Sequence, residues 1–270
     1  MATVLITGAS AGLGLEFAWQ LATARYDLVL VARDTERLER LASQLHAAAG
    51  VRVEVLPADL SVRDDVERVA ERLRATERPI GLLVNNAGFA VGKRFVGGNL
   101  AAQERALEVM VRAVLVLSHA AAGQMSARGR GAILNVSSVA ALLASGPYSA
   151  HKAWVRSFTE GLAVELKDSG VTATVLCPGF VHTEFHERAD VNVVGYPEIA
   201  WLSVDSVVAT ALADVRRGVI ISTPSLRYRA VSGVVRMLPR PAVRALGRYR
   251  KATDHLEDVE PESSDGVAAL

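Results

Sequence analysis

The sequence predicts an α/β fold: one doubly wound domain with a seven-stranded parallel sheet and helices on both faces. Three observations carry this. Short apolar runs alternate in strict order with amphipathic segments, the order of successive βα units. Most of the runs are apolar at consecutive positions rather than at every second one, as strands covered on both faces are. The first run ends in a glycine-rich turn that leads straight into a helical pattern.

The elements follow in order. Thr3 to Ile6 reads as a short buried strand, and Leu15, Ala18, Trp19 and Leu21 mark the first helix. Asp27 to Val31 is a second buried strand. Asp34 or Thr35 can cap a helix with the core stripe Leu38, Leu41 and Leu45, which ends at Gly50. Val51, Val53 and Val55 alternate as a third strand. Ser61 opens a helix with Val62, Val66, Val69 and Leu73 inward. After Pro79 comes the strand Ile80 to Val84. A long apolar helix runs from Leu100 to Met125, followed by the strand Gly131 to Val136. A helix from about Tyr148 to Lys167 precedes the strand Val171 to Leu176. A last helix near Val204–Val215 leads to the seventh strand, Val219 to Ser222.

The chain has 270 residues, 50% hydrophobic and 22% charged, which suits a globular protein with a substantial core. Its net charge of +1 gives no reason to expect a nucleic-acid partner. The single Cys177 leaves no internal disulfide and suits a reducing compartment, so a cytoplasmic protein is the expectation. The glycine turn begins at residue 8, so no signal peptide is expected before it. No apolar stretch is expected to reach the ~18–20 residues that a membrane span needs. Residues 1–225 read as one domain and 226–252 as a C-terminal extension in which apolar residues mix with arginines. The acidic tail, 253–270, reads as disordered. The basic extension could rest on an anionic membrane surface or an acidic carrier, or pack on the domain with its arginines in solvent.

Several groups in this frame carry chemistry. Gly8, Gly12 and Gly14 lie between a strand and a helix, so backbone N–H groups at the helix start can hold a phosphate without a basic side chain. Gly8 serves the turn, Gly12 the close approach of a pyrophosphate, and Gly14 the helix–sheet contact; Ser10, Ala11 and Leu13 complete the cradle. Past the second strand, Ala32 stands where NAD-binding folds commonly place an acid for the ribose hydroxyls, and Arg33 follows. Nothing there repels a 2′-phosphate and a guanidinium can pair with it, so the expected cofactor is NADP(H). Asp59, with Leu60, could accept from an adenine amino group or serve as a helix cap. Asn85-Asn86-Ala87-Gly88 ends a strand with small residues that let backbone approach a ribose. Tyr148 and Lys152 are four apart at a helix start and share a face. A lysine beside a tyrosine favours the phenolate and makes it a usable acid/base near neutral pH.

The spacing T-G-x-x-x-G-x-G, from Thr7 to Gly14, resembles the short-chain dehydrogenase/reductase family, whose fold is of the Rossmann type. Asp59-Leu60, N-N-A-G, Y-x-x-x-K and Cys177-Pro-Gly-Phe-Val-His-Thr183 extend the resemblance over about residues 2–222. It implies NADP-dependent hydride transfer between a ketone and a secondary alcohol, as in 3-oxoacyl reductases. It implies Tyr148 as acid/base, Lys152 as partner of the ribose hydroxyls and the phenol, and Ser138 as the hydroxyl that orients the carbonyl oxygen, with Ser137 the alternative. Ser138 stands 10 positions before Tyr148, closer than is usual in the family. Pro178, Gly179, Val181 and Thr183 would hold the nicotinamide side. The helix that usually carries an asparagine, which bends it and holds a water for the lysine, has Met110 in this chain. The family's four-helix interface implies a homodimer or homotetramer.

His182 and His186 beside Glu184 and Glu187 lack a third ligand of clear spacing, so no metal is expected. Thr183 to about Leu202 reads as a lid over a small-molecule substrate. Two further readings stay open: an NADP-binding protein that kept the fold with little turnover, and a membrane-associated long-chain acyl or steroid reductase.

Overall fold

The structure is a computed structural model and describes residues 2–91, 95–182 and 198–245. Six strands of a parallel sheet are β1 (Thr3–Thr7), β2 (Asp27–Ala32), β3 (Val53–Pro57), β4 (Ile80–Asn85), β5 (Gly131–Val136) and β6 (Val171–Leu176). β7 (Phe180–Val181) and β8 (Trp201–Leu202) pair as a separate parallel ribbon, and β9 (Ile221–Ser222) completes the sheet. The order is β3-β2-β1-β4-β5-β6-β9. The seventh strand is shorter than its apolar run, because only Ile221 and Ser222 pair with Val175 and Leu176.

Side chains of each strand go to alternate faces, and both faces are apolar. Val4, Ile6, Leu28 and Leu30 pack under α1 (Gly12–Thr23), α2 (Thr35–Ala49) and α7 (Val204–Arg216). Leu5, Val29, Val31, Leu83 and Ile133 pack under α3 (Arg63–Arg74), α5 (Ala113–Ala127) and α6 (Gly146–Glu165). Asp34 caps α2, its Oδ1 accepting from the Arg37 amide at 3.0 Å. Gly50, in the left-handed conformation at φ 64°, ends that helix. α3 begins at Arg63, two residues after the expected start at Ser61.

The long apolar helix runs over α4 (Leu100–Leu107), a π-helical turn (Glu108–Arg112) and α5. By length and composition it could cross a membrane, which corrects the expectation that no stretch could. Its packing is that of a core helix: Val109, Ala113, Leu117, Ala121 and Met125 sit in the cluster around Leu83 and Ile133. In the π turn the Ala113 amide reaches back to the Glu108 carbonyl, and the extra residue per turn puts Met110 inside, 1% exposed.

α8 (Leu226–Met237) lies against the domain with no residue fully buried, and Leu226, Val231, Val234 and Met237 are exposed. The acidic tail 253–270 lies outside the described residues.

Candidate active site

All six long strands run the same way, so their C-terminal ends lie on one edge. The strand order reverses between β1 and β4, which opens a crevice at that edge, the usual ligand site of such sheets. The glycine turn sits beside it. Gly8 (φ 67°) and Gly12 (φ 53°) take backbone conformations that suit glycine. The Gly8 amide donates to Val31 O at 2.8 Å and ties the turn to the end of β2. A Cβ on Gly14 would lie 2.1 Å from Gly8 O, so only glycine lets α1 pack this close to the turn. Ala11 caps α1 with no side-chain acceptor, which leaves the first-turn N–H groups to an external anion. Ser10 and Leu13 lie within this cradle, Leu13 against the core below. The residues fit a dinucleotide phosphate.

Across the crevice the end of β4 is fastened to the same turn. Thr7 Oγ1 accepts from the amides of Asn86 at 3.0 Å and Ala87 at 3.1 Å. The Asn86 side chain donates to the carbonyls of Thr7 (3.0 Å) and Gly8 (3.2 Å). Asn86, expected as a cofactor contact, thus spends its amide on the shape of the cradle. Arg33 is exposed at the end of β2, and no ion pair among the described residues engages it. Asp59 Oδ1 accepts from both the amide (2.9 Å) and the hydroxyl (2.8 Å) of Ser61, so this carboxylate holds a local turn and does not cap α3. Leu60 is buried beside it.

The other half of the edge joins β5, β6 and α6. The Ser137 amide donates to Leu176 O at 2.7 Å, and the Val139 amide to Pro178 O at 3.0 Å. The Ser137 hydroxyl is buried and donates to Lys152 O at 2.7 Å. Ser138 caps a 3₁₀ turn (Val139–Leu142): its oxygen accepts from the Ala140 amide at 3.1 Å, which leaves the hydroxyl proton for another acceptor. That turn packs against α6, which starts at Gly146, two residues before Tyr148.

Lys152 is 5% exposed. Its Nζ donates to Val136 O at 2.8 Å and lies 5.8 Å from the centre of the Tyr148 ring. Burial lowers Lys152 from its ordinary 10.5 to about 8, opposed in part by Cys177. The Cys177 thiol is itself pushed up to about 11 by burial. His151 is lowered by burial and then by Lys152. A Cβ on Gly88 would lie 3.4 Å from Met110 Sδ and 3.5 Å from Lys152 Nζ, so the thioether borders the lysine's pocket.

Pro178 is buried, and Val181 lies 5% exposed in β7. Thr183, Glu184, His186 and Glu187, with most of the expected lid, lie outside the described residues. His182 stacks on Trp201 (4.3 Å, 18°), and Phe180 meets the same indole at 5.6 Å.

Sequence reasoning missed a buried polar chain behind the site. Asn85 Nδ2 donates to Ser118 Oγ (3.1 Å) and Asn135 Oδ1 (2.9 Å), and Asn135 Nδ2 to Thr159 Oγ1 (2.9 Å). It ties α5 and α6 to the two central strands. Polar residues inside otherwise apolar strand ends were its only signal.

Residues 2–194 match the model of the short chain dehydrogenase family. The chain belongs to that family. With it comes nicotinamide-dependent hydride transfer between a carbonyl and an alcohol on small molecules. Among solved structures, a short-chain dehydrogenase from Sphingobium yanoikuyae in complex with NADPH is 34% identical, with a TM-score of 0.80 over 98% of this chain and 99% of that one. The bulky-bulky ketone specific alcohol dehydrogenase from Comamonas testosteroni is 30% identical, with a TM-score of 0.76 over 89% and 96%. Sulfoacetaldehyde reductase 2 of Chromohalobacter salexigens is 36% identical over 189 residues, 67% of this chain and 73% of that one.

Proposed function

We propose that this family member reduces ketones with NADPH, or oxidises the corresponding secondary alcohols with NADP, through Tyr148, Lys152 and Ser138. The observation that carries the reading is the buried Lys152 ammonium beside the Tyr148 ring, on the sheet edge that holds the phosphate cradle. A bound nicotinamide supplies the hydride that the carbonyl carbon takes up. Tyr148 gives its phenolic proton to the carbonyl oxygen as that oxygen gains charge. Ser138, whose hydroxyl proton is free of the 3₁₀ turn, donates to the same oxygen and orients it. Lys152 stabilises the resulting phenolate and binds the ribose hydroxyls, while Gly8 to Gly14 hold the pyrophosphate.

Preference for NADP(H) rests on Arg33, exposed beside the cradle where an acid is absent. Asp59 and Leu60 border the adenine, Ala87 and Gly88 the ribose; Pro178, Gly179, Val181 and Thr183 hold the carboxamide side. The aromatic group of Phe180, His182 and Trp201 favours ketones with apolar bulk, in line with the Comamonas relative. NADPH oxidation across bulky ketones, aldehydes and sugars tests this. Turnover confined to ketones supports it; turnover of aldehydes or sugars in preference to ketones contradicts it, as does the absence of both turnover and NADPH binding.

In this reading residues 1–225 are the catalytic domain and 226–252 its C-terminal extension, of which α8 packs on the domain. The free, buried Cys177 fits a reducing compartment such as the cytoplasm. Exposed Leu107 and Leu115 on the long helix and Val164 on α6 (72% exposed) favour a homo-oligomer through these helices. Light scattering should give at least twice the 28.7 kDa chain mass at micromolar concentration, and a monomer would refute it.

A further inference from the structure

The family match ends at residue 194, yet α8, well beyond it, touches the site. It packs on the 3₁₀ turn that Ser138 caps. Tyr228, on the first turn of α8, lies flat over Gly179: a Cβ there would fall 2.0 to 2.5 Å from three ring carbons. The ring therefore occupies the space that any other residue at 179 would fill. The Tyr228 hydroxyl makes two bonds at once, accepting from the Phe180 amide at 3.2 Å and donating to Ala200 O at 2.7 Å. Phe180 is in β7 and Ala200 directly precedes β8, so one hydroxyl bridges both strands of the ribbon at the turn after β6. The same helix stays in place through the Arg229 guanidinium, which donates to Thr223 O at 3.0 Å.

We propose that Tyr228 is a positioning residue for the nicotinamide side of the cofactor site, holding the Pro178–Val181 backbone in its binding shape from outside the catalytic domain. The inference rests on the proposed role of that backbone in holding the carboxamide. Tyr228 touches no reacting atom in it. The ring excludes water from Gly179, and the hydroxyl fixes the Phe180 amide and the Ala200 carbonyl relative to each other.

Tyr228→Phe keeps the ring and removes both hydrogen bonds. NADPH titration without substrate should show Kd raised about three- to tenfold, a part of what two lost partly buried hydrogen bonds can cost. Amide exchange over residues 177–182 should quicken in the same variant, with the melting temperature near that of the wild type. A role in stability alone would lower the melting temperature and leave Kd unchanged, and that outcome overturns the proposal, as does unchanged exchange. A measurement on the wild type needs no variant. Because coupling is reciprocal, saturation with NADPH should slow exchange in residues 226–232. If NADPH binds and α8 exchange does not change, the proposal fails while the cofactor reading stands. If the wild type does not bind NADPH, it is the cofactor reading that fails.

Discussion

Lys152 donates from its buried Nζ to the carbonyl oxygen of Val136 at 2.8 Å. The ammonium is thereby fixed at the end of β5, in the wall that carries Ser138, and it is fixed where water cannot solvate it. Burial brings it to about 8, so in the free protein it sheds its proton as pH rises through that value. Ribose hydroxyls and an anionic cofactor favour the charged form. Binding is therefore tightest below pH 8 and weakens above it, by roughly tenfold per pH unit at most. NADPH Kd measured from pH 7 to 9.5 checks this; Lys152→Met should bind more weakly and lose the pH dependence. A flat wild-type profile would contradict it.

Among the described residues no ion pair engages Arg33, and the neighbouring Asp34 is engaged as the cap of α2. The wild type should bind NADPH at least ~10-fold tighter than NADH, about 1.4 kcal/mol from the 2′-phosphate pair. Arg33→Ala should remove most of that preference and leave NADH binding nearly unchanged. Titration of both cofactors into both proteins measures it, and equal wild-type affinities would end the claim.

Met110 fills the inside of the π turn beside Lys152. A thioether accepts hydrogen bonds only weakly and donates none, so it cannot anchor a water that returns protons to the lysine as an amide can. The wild type should therefore turn over slowly, and Met110→Asn should raise kcat with NADPH Kd unchanged. Steady-state kinetics decide it; unchanged or lower kcat in the variant contradicts it.

The sheet was legible because most of its strands are near-continuous apolar runs, as strands covered on both faces are. The glycine turn was legible for a related reason: Gly8 and Gly14 answer steric demands that no other residue meets. Tyr148 and Lys152 could be paired because a helix sets their spacing. What stayed hidden depends on contacts between distant segments. The side chain of Asn86 shapes the cradle because β4 neighbours β1, and the bond of the Ser137 hydroxyl to Lys152 O forms only once α6 packs against β5. Apolar composition misled in the opposite direction at the long helix. A membrane span and a core helix share that composition, and only the packing against Leu83 and Ile133 separates them. Tyr228 carried no signal, since its partners are a glycine and two backbone groups.

The central claim is that Tyr148 moves the proton. Tyr148→Phe removes one hydroxyl from a ring that stays beside Lys152. The most direct test is single-turnover NADPH oxidation with a bulky ketone, alongside NADPH titration of the same two proteins. The rate in Tyr148→Phe should fall by ~100-fold or more, the range for loss of a general acid, with cofactor Kd within about twofold of the wild type. A variant that keeps most of its rate while binding NADPH normally would show that the proton comes from elsewhere.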